Sequence, residues 1–499
     1  MQALSFSSSL SILKDAGLLI ASGNLPDTGK IQSLKTDSRK IEAGDIFLAY
    51  KGVSYDSHQA ISSAMSQGAG LIIGDDDKSL HKDCGLPYIL VSDSRQAWSH
   101  LAAFNWGKAH EKIPMYAVTG TNGKTSSAWL AKELLQACGE EAFIIGTMGA
   151  FFKGQHFETM HTTPDPDRLF ELIDQAIKLG ASMVFMEVSS HAIKQGKLGP
   201  IKFDGAMFTS FSRDHLDYHS SMEEYFDTKT ELFHKYLKPG GRKIFFEPVF
   251  QKLEDRVVKN GAESYGDSSD SHWQVSSVDT QLHGSSFKLN YGQESWSLNV
   301  PLAGDFIVHN LVGVLALLRP FWAGENIVEA CTRLSTVPGR LERIKTSDNQ
   351  PTVFVDYAHT PDALETCLKT LKPMVEGRLI LVFGCGGDRD RGKRPLMAAV
   401  ATKLADHVIV TSDNPRTEDP KTIISDILEG VEKAELTTLS VEPDRSTAIH
   451  QAIFDAGSKD CVLLAGKGHE DYQILGTQRI HFDDREVARM ALDQIERSK

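Results

Sequence analysis

The stretch Tyr116-Ala-Val-Thr-Gly-Thr-Asn-Gly-Lys-Thr-Ser126 constrains the fold of this chain more than any other. A short apolar segment enters a loop with two glycines. Lys124-Thr125 then opens a helical pattern, Ser127-Ala-Trp-Leu-Ala-Lys-Glu-Leu-Leu135. A strand passing to a helix through such a loop belongs to an α/β layer. The N–H groups of the loop and of the helix N-terminus attract an anion. Lys124 adds a point charge and the Thr125 hydroxyl can hold Mg²⁺. Gly120, Thr121, Asn122, Gly123 and Ser126 complete the predicted phosphate loop. The usual eight-residue pattern begins with glycine where Val118 stands, so Gly120-Thr-Asn-Gly-Lys-Thr125 is a tighter variant. A glycine–lysine pair elsewhere is often just a turn. Between a strand and a helix it reads as a phosphate site.

A chain of 499 residues is long enough for about three domains of this kind. Its net charge of −13 argues against nucleic acid as the main partner. Cys84, Cys138, Cys331, Cys367, Cys385 and Cys461 are scattered without a C-x-x-C pair, which suits a reducing compartment rather than a disulfide framework or a zinc site. Leu10 to Ile20 is partly apolar, but Lys14-Asp15 interrupts it and no basic region precedes it. An amphipathic helix is expected there rather than a signal peptide. No run of about 18 apolar residues predicts a membrane span. The expectation is a cytoplasmic monomer that binds neither nucleic acid nor membrane.

Residues 1–110 read as a small α/β domain with strands at Asp45–Tyr50, Gly70–Gly74 and Pro87–Val91 and a helix over Ser94–Trp106. Gly107–Pro114 reads as a linker. Residues 111–338 read as a central domain, with strands such as Ser182–Val188 and Ala206–Thr209 separated by helical crossovers. Alternation around 272–300 predicts an antiparallel insertion or edge. Residues 339–499 read as a third α/β domain, with strands Thr352–Asp356, Leu379–Phe383, His407–Thr411 and Cys461–Ala465. Each of these leads into a loop rich in Gly, Asp, Arg or His. Ligands of open α/β sheets bind outside the carboxyl ends of strands, so these loops are expected to form a site.

Two further clusters carry chemistry. Glu187, in Met186-Glu-Val-Ser-Ser-His191 at the end of an apolar strand, can coordinate a metal near the phosphates or stand as a solvated loop carboxylate. Asp214, His215 and Asp217 crowd the loop Phe208-Thr-Ser-Phe-Ser-Arg-Asp-His-Leu-Asp-Tyr-His219, where a neutral His215 imidazole can be a metal ligand. Gly384-Cys-Gly-Gly-Asp-Arg-Asp-Arg-Gly-Lys-Arg394 is an ordinary flexible loop, a second phosphate site or a substrate loop.

Taken together and in order, the phosphate loop, the Glu-Val-Ser-Ser-His stretch, the Ser-Arg-Asp-His-Leu-Asp-Tyr-His stretch and the motifs of the third domain resemble the Mur ligases, from about Thr36 to Glu486. The resemblance implies an α/β fold of three domains: a UDP-binding domain, a central P-loop ATPase domain and a Rossmann-like domain for an amino acid. It implies ATP as co-substrate, Mg²⁺, and a carbamylated lysine at Lys229. Lys229 would otherwise read as a solvated helix lysine. By the same resemblance Ser38 belongs to the uridine site, and Thr162, Thr163, Ser189, Gln195 and Lys197 contact a UDP-muramyl dipeptide. Asn310, Arg340, Asp356 and His359 face ATP. Arg389, Asp413, Asn414, Arg416, Gly466 and Glu470 receive the amino acid. The chain departs from the family at Lys197, where an arginine is usual, and at His161, Ile307 and Phe246-Glu-Pro248.

The implied reaction is ATP-dependent addition of meso-diaminopimelate to UDP-N-acetylmuramoyl-L-alanyl-D-glutamate through an acyl phosphate. The catalytic set is Lys124, Glu187, His215 and Lys229, and the metal set is Thr125, Glu187, His215 and carbamylated Lys229. Asp413-Asn-Pro-Arg416 points to the diamino diacid, because an arginine clamps a carboxylate bidentately. The plainer alternative pairs Arg416 with Glu418 or Asp419. A folate-polyglutamylating ligase shares the last two domains but lacks the N-terminal unit with Asp37-Ser-Arg39. A nucleotide switch would leave the acceptor motifs unexplained.

Overall fold

The computed structural model describes residues 4–26, 31–52, 55–78, 85, 87–216, 218–254, 256–322, 324–344, 346–347, 349–432 and 435–497. Asp217 and Cys84, singled out above, lie outside the described residues. The chain divides into two compact units, residues 1–274 with 310–323, and residues 275–309 with 324–499.

The first unit contains two sheets. The N-terminal one has the order Leu19–Gly23, Tyr88–Val91, Leu71–Gly74, Ile46–Leu48, Leu34–Lys35. It is parallel except for Leu19–Gly23. The helix expected over Leu10–Ile20 lies instead at Phe6–Asp15. Ser5 starts it, accepting from the Ser8 N–H while the Ser8 hydroxyl accepts from the Ser5 N–H. Gly17, at φ 71°, turns the chain so that Leu19 begins the edge strand. The linker expected at Gly107–Pro114 is a packed turn. Ala109–Glu111 is a 3₁₀ helix, and the buried His110 ring meets Phe170 edge-on at 5.4 Å.

The second sheet carries the phosphate loop. From Gln155–Phe157 its strands follow in the order Gly149–Phe152, Ala142–Gly146, Met183–Glu187, Met115–Thr119, Phe203–Phe208, Leu237–Phe246 and Ala262–Gly266. The six from Ala142–Gly146 to Ala262–Gly266 are parallel and the two outer ones antiparallel. Every residue of Met115–Thr119 and of Met183–Glu187 is buried. Parallel strands covered on both faces read as such continuous apolar runs. Their common direction brings the loops at 120–123, 188–189 and 209–216 to one end of the sheet.

The N-terminal sheet's helix Ser94–Asn105 is fastened to this layer. Trp98 Nε1 donates to Asp167 Oδ2 at 2.8 Å, and Ser99 Oγ donates to the Gly196 carbonyl at 2.7 Å. Burial pushes the Asp167 carboxyl up to about 6, against the opposing pull of the indole N–H.

The second unit has a sheet ordered Glu342–Ile344, Thr352–Asp356, Cys461–Ala465, Leu379–Phe383, His407–Val410, Leu439–Val441, parallel except at Glu342–Ile344. Val353, Val355, Ile380, Val382, Ile409, Val462 and Leu464 pack from it against helices Arg445–Phe454 and Asp484–Arg497. The alternation near 272–300 is met by the antiparallel pair Gly284–Tyr291 and Glu294–Val300. A second hairpin joins Tyr472–Leu475 to Gln478–His481. The described cysteines are free. Among the described residues no helix is long and apolar enough to cross a membrane.

Candidate active site

The phosphate loop leaves strand Met115–Thr119 and enters helix Lys124–Ala137. Gly120 and Gly123 hold φ of 151° and 88°, conformations that side chains rarely adopt. Space forbids a side chain as well. A methyl on Gly120 would fall 2.0 Å from Thr209 Oγ1, and one on Gly123 2.5 Å from Asn310 Oδ1. Asn310, expected near the nucleotide, is therefore packed against the loop.

The loop is braced by the segment after the neighbouring strand Phe203–Phe208. The Thr121 N–H donates to the Ser210 carbonyl at 2.8 Å and the Asn122 N–H to Ser210 Oγ at 2.9 Å. Thr209 Oγ1 donates to the Asn122 carbonyl at 2.5 Å, and the Ser212 N–H to Thr121 Oγ1 at 3.1 Å. Lys124 Nζ donates to the carbonyls of Gly120 and Thr121 at 2.8 and 2.9 Å.

Lys229 reaches the same carbonyl. It lies on helix Met222–Lys235 with its side chain turned inward, 1% exposed, and its Nζ is 2.9 Å from Gly120 O. Burial, reinforced by the Lys124 charge, pulls its pKa well below the usual lysine value. A solvated helix lysine is excluded. The Lys229 amine also stands 4.7 Å from the centre of the Tyr225 ring.

Glu187 is buried, not solvated. Its Oε2 accepts from Thr125 Oγ1 at 3.1 Å and from Thr147 Oγ1 at 3.0 Å, and its Oε1 accepts from the Thr147 N–H at 3.0 Å. The Thr147 and Thr162 hydroxyls are 3.0 Å apart. Thr147 thus joins the expected metal carboxylate to an expected substrate contact. Sequence reading missed it; a Gly-Thr pair at a strand end is a weak signal. Gly146 allows the approach, since a methyl there would fall 2.1 Å from Glu187 Oε1.

His215 sits at φ 54°, a left-handed conformation for a non-glycine residue, with its ring 4.8 Å from that of His191. Asp214 Oδ2 lies 3.4 Å from its Nε2.

A cavity of about 460 Å³ unites these parts. Lys124, Lys229 and His215 line it, and so do Thr162, Thr163, Ser189, Gln195 and Lys197. His161, one of the departures noted above, lines it too. Helix Ser94–Asn105 contributes Arg95 and Trp98, and the loop after strand Ile46–Leu48 contributes Tyr50, none of which the sequence singled out. Tyr50 stacks on Trp98 at 5.7 Å, and the Arg95 guanidinium lies over Tyr50 at 5.4 Å. Ser38 is not among the lining residues; it sits in the 3₁₀ turn Ser38–Lys40. Lys197 keeps a cation where the family has arginine. Its Nζ pairs with Asp165 at 2.8 Å. Thr163 Oγ1 donates to the Glu187 carbonyl at 3.0 Å and accepts from the Ser189 N–H at 3.1 Å, so the strand ends expected to face substrate and metal are tied together.

In the second unit the loops after four parallel strands gather two further groups. Buried Asp356 accepts from the N–H groups of Leu341 and Ala358, both at 2.7 Å, and burial raises its carboxyl pKa. The Arg340 guanidinium lies 4.5 Å over Tyr357, and Lys393 Nζ donates to the His359 carbonyl at 2.7 Å. Asp413 and Asn414 are buried, and Asn414 Nδ2 donates to Glu470 Oε2 at 2.9 Å. A methyl on Gly466 would fall 3.1 Å from Asp413 Oδ2. Arg389 is exposed at the loop's rim. Arg416 Nη1 donates to the Gly387 carbonyl at 2.7 Å. Glu418 is engaged by Arg391 and Arg394 instead, and Arg416 makes no ion pair among the described residues.

Three family models match in chain order. They are "Mur ligase family, catalytic domain" over residues 30–106, "Mur ligase middle domain" over 118–318 and "Mur ligase, glutamate ligase domain" over 339–468. The UDP-N-acetylmuramoyl-L-alanyl-D-glutamate–2,6-diaminopimelate ligase of Parasynechococcus marenigrum is 40% identical over 498 residues, covering 97% of this chain and 98% of the relative. The chain belongs to the Mur ligase family. The Geobacter sulfurreducens ligase of the same name is 39% identical, covering 92% of this chain and 94% of the relative. A solved structure of a ligase so named is 31% identical with a TM-score of 0.69, covering 99% of this chain and all of the other. MurF from Acinetobacter baumannii shares the fold at 18% identity, with a TM-score of 0.60 and coverage of 93% and 96%. The Mur ligase architecture of three domains accounts for the sheets described above. It also fits the placement of a P-loop layer in the middle of the chain.

Proposed function

We propose that this Mur ligase joins meso-2,6-diaminopimelate to the D-glutamate carboxylate of UDP-N-acetylmuramoyl-L-alanyl-D-glutamate, using ATP. The observation that carries the reading is one cavity in which Lys124, Lys229 and His215 share walls with Thr162, Thr163, Ser189 and Gln195. A substrate carboxylate held there lies beside a phosphate loop. Kinship at 40% identity over nearly the whole chain supports the choice of substrates.

In this reading residues 1–110 hold the UDP moiety, with Ser38 at the uridine, residues 111–338 hold ATP, and residues 339–499 receive the amino acid. Asn310, Arg340, Asp356 and His359 serve the nucleotide. A carboxylate does not acylate an amine at neutral pH because oxide is a poor leaving group. One carboxylate oxygen attacks the γ-phosphorus, the bond to ADP breaks, and an acyl phosphate forms. The amine nitrogen then attacks the acyl carbon, phosphate departs with the electron pair, and the amine loses a proton. Two anions must meet in the first step, and Lys124 offsets their repulsion.

The donor set suits Mg²⁺. Thr125 and Glu187 offer oxygen at a helix N-terminus, and Mg²⁺ is commonly held by one or two carboxylates together with phosphates and water. Among the described residues no group of three His, Cys, Asp or Glu side chains forms a cage of its own. When bound, the ion supplies charge to the transferring phosphoryl group. Thr125, Glu187, His215 and Lys229 would hold it. Lys229 joins that set as a carbamate. Its depressed pKa leaves a neutral amine that can attack CO₂ and lose a proton, which turns a repelling ammonium into an anion.

Hydroxylamine tests the acyl phosphate. A hydroxamate is expected only when ATP and the UDP-dipeptide are both present, and its absence would sink the mechanism. A folate in place of the UDP-dipeptide is expected to give no ATP turnover. Lys124→Ala is expected to lower kcat by about 10²–10³, the scale of losing one charge aimed at a transition state. KM for diaminopimelate should stay within a few-fold, because the acceptor residues lie in the other compact unit. Steady-state kinetics with each substrate varied checks both statements.

A further inference from the structure

Lys467 stands between Gly466 and Gly468 in the loop after strand Cys461–Ala465, and its side chain is fully buried. Its Nζ lies 2.5 Å from the Tyr472 carbonyl, 3.3 Å from Glu470 Oε2, 3.4 Å from Asn414 Oδ1 and 3.7 Å from Asp413 Oδ1. Of the three N–H donors of an ammonium, one serves the Tyr472 carbonyl and the others face Glu470 and Asn414, with Asp413 at ion-pair distance; the last three are residues proposed to receive the amino acid.

We propose that Lys467 is a positioning residue for the acceptor amino acid: its buried ammonium keeps the Glu470 carboxylate ionised and fixes the Glu470–Asn414 pair, so that the pair can accept an ammonium group of the incoming diamino acid. This rests on the acceptor-site reading above.

The charges around Glu470 explain the need. Burial and the neighbouring Asp413 carboxylate raise its pKa above the ordinary carboxylate value. Lys467 and the Asn414 amide oppose them. The Tyr472 hydroxyl lies 3.5 Å from Glu470 Oε1, and the Tyr357 phenol also feels the Glu470 charge. Arg445 is in range, with its Nη2 held at 2.6 Å by Asp484 and at 3.0 Å by the Ala465 carbonyl. Removing the Lys467 charge leaves half-buried Glu470 and buried Asp413 without the cation that pairs with both, and two neighbouring carboxylates raise one of the two pKa values. A neutral Glu470 holds an ammonium poorly. A lysine that merely pinned the Tyr472 hairpin would, on removal, cost activity equally at every pH.

The test is kcat/KM for meso-diaminopimelate from about pH 5 to about pH 9, with ATP and the UDP-dipeptide saturating. In Lys467→Met the acid limb is expected to move up by at least about one pH unit, giving roughly a ten-fold loss at pH values on the limb that fades as pH rises. Lys467→Arg keeps the charge and is expected to return the limb toward its original position, even if kcat falls. A uniform loss across the range in Lys467→Met would overturn the proposal. Should that variant not fold, Glu470→Gln decides. It removes the titrating group, so the acid limb must vanish, and a limb that persists overturns the proposal. Failure of the unmodified protein to use diaminopimelate would overturn the acceptor-site reading and this proposal with it, a result distinct from an unmoved limb.

Discussion

Lys229→Ala is expected to lose at least about 10²–10³ of kcat, and short carboxylates added to the assay are expected to restore part of it. The reason lies in the surroundings of Lys229. Two lysine nitrogens converge on one carbonyl, Gly120 O, and the Lys229 nitrogen is buried beside Tyr225 with the Lys124 charge at hand. A second permanent cation there is unfavourable, whereas a neutral amine is reactive toward CO₂. Acetate or formate entering the space left by the alanine replaces the missing anion. Lys229→Arg is expected to remain inactive and beyond rescue, since guanidinium keeps its proton and repels a divalent cation. A carbonyl resonance from labelled CO₂, present in the unmodified protein and lost in Lys229→Ala, checks the modification apart from turnover. Full activity in Lys229→Arg would refute the role.

Strong selection for meso-diaminopimelate over L-lysine is expected from Arg416. The two amino acids differ by a carboxylate at the far end. Glu418 is engaged by Arg391 and Arg394, so the plain alternative in which Arg416 pairs with it does not hold. Arg416 is also held firmly. Its N–H donates to the Ile474 carbonyl at 3.0 Å, its own carbonyl accepts from the Gly476 N–H at 2.8 Å, and its φ of 51° is set by that clasp. With lysine bound, the guanidinium faces an ammonium without an anion, at a cost on the order of a few kcal/mol, or about 10²–10³ in kcat/KM. Arg416→Ala is expected to lose mainly the reaction with diaminopimelate. Comparable kcat/KM for the two amino acids in the unmodified protein would overturn the assignment.

Much of this was legible in the sequence because local pattern set local geometry. The buried parallel strands Met183–Glu187, Thr352–Asp356, Leu379–Phe383 and Cys461–Ala465 appear as unbroken apolar runs, and the two loop glycines announce their positive φ. The first helix was misplaced because Leu18-Leu-Ile20 is as apolar as a helix face, and only Gly17 marks the break. Thr147, Ser210, Tyr50 and Arg95 stayed hidden for a different reason. Each matters through a neighbour some 40 to 110 residues away, and such neighbours exist only once the sheet is assembled. The inward turn of Lys229 is of the same kind. A lysine on an amphipathic helix carries no local mark of the face it occupies.

The bracing of the phosphate loop divides labour among its amides. The N–H groups of Thr121 and Asn122 are already given to Ser210, leaving the helix end from Gly123 to Ser126, whose first-turn amides have no partner within the helix, to meet an anion. The loop is therefore a mould set when the sheet forms, not a flap that wraps its guest. In the proposed reading, the disorder lost in shaping that mould belongs to folding, and a nucleotide arriving later meets a finished surface and loses little of its affinity to remodelling.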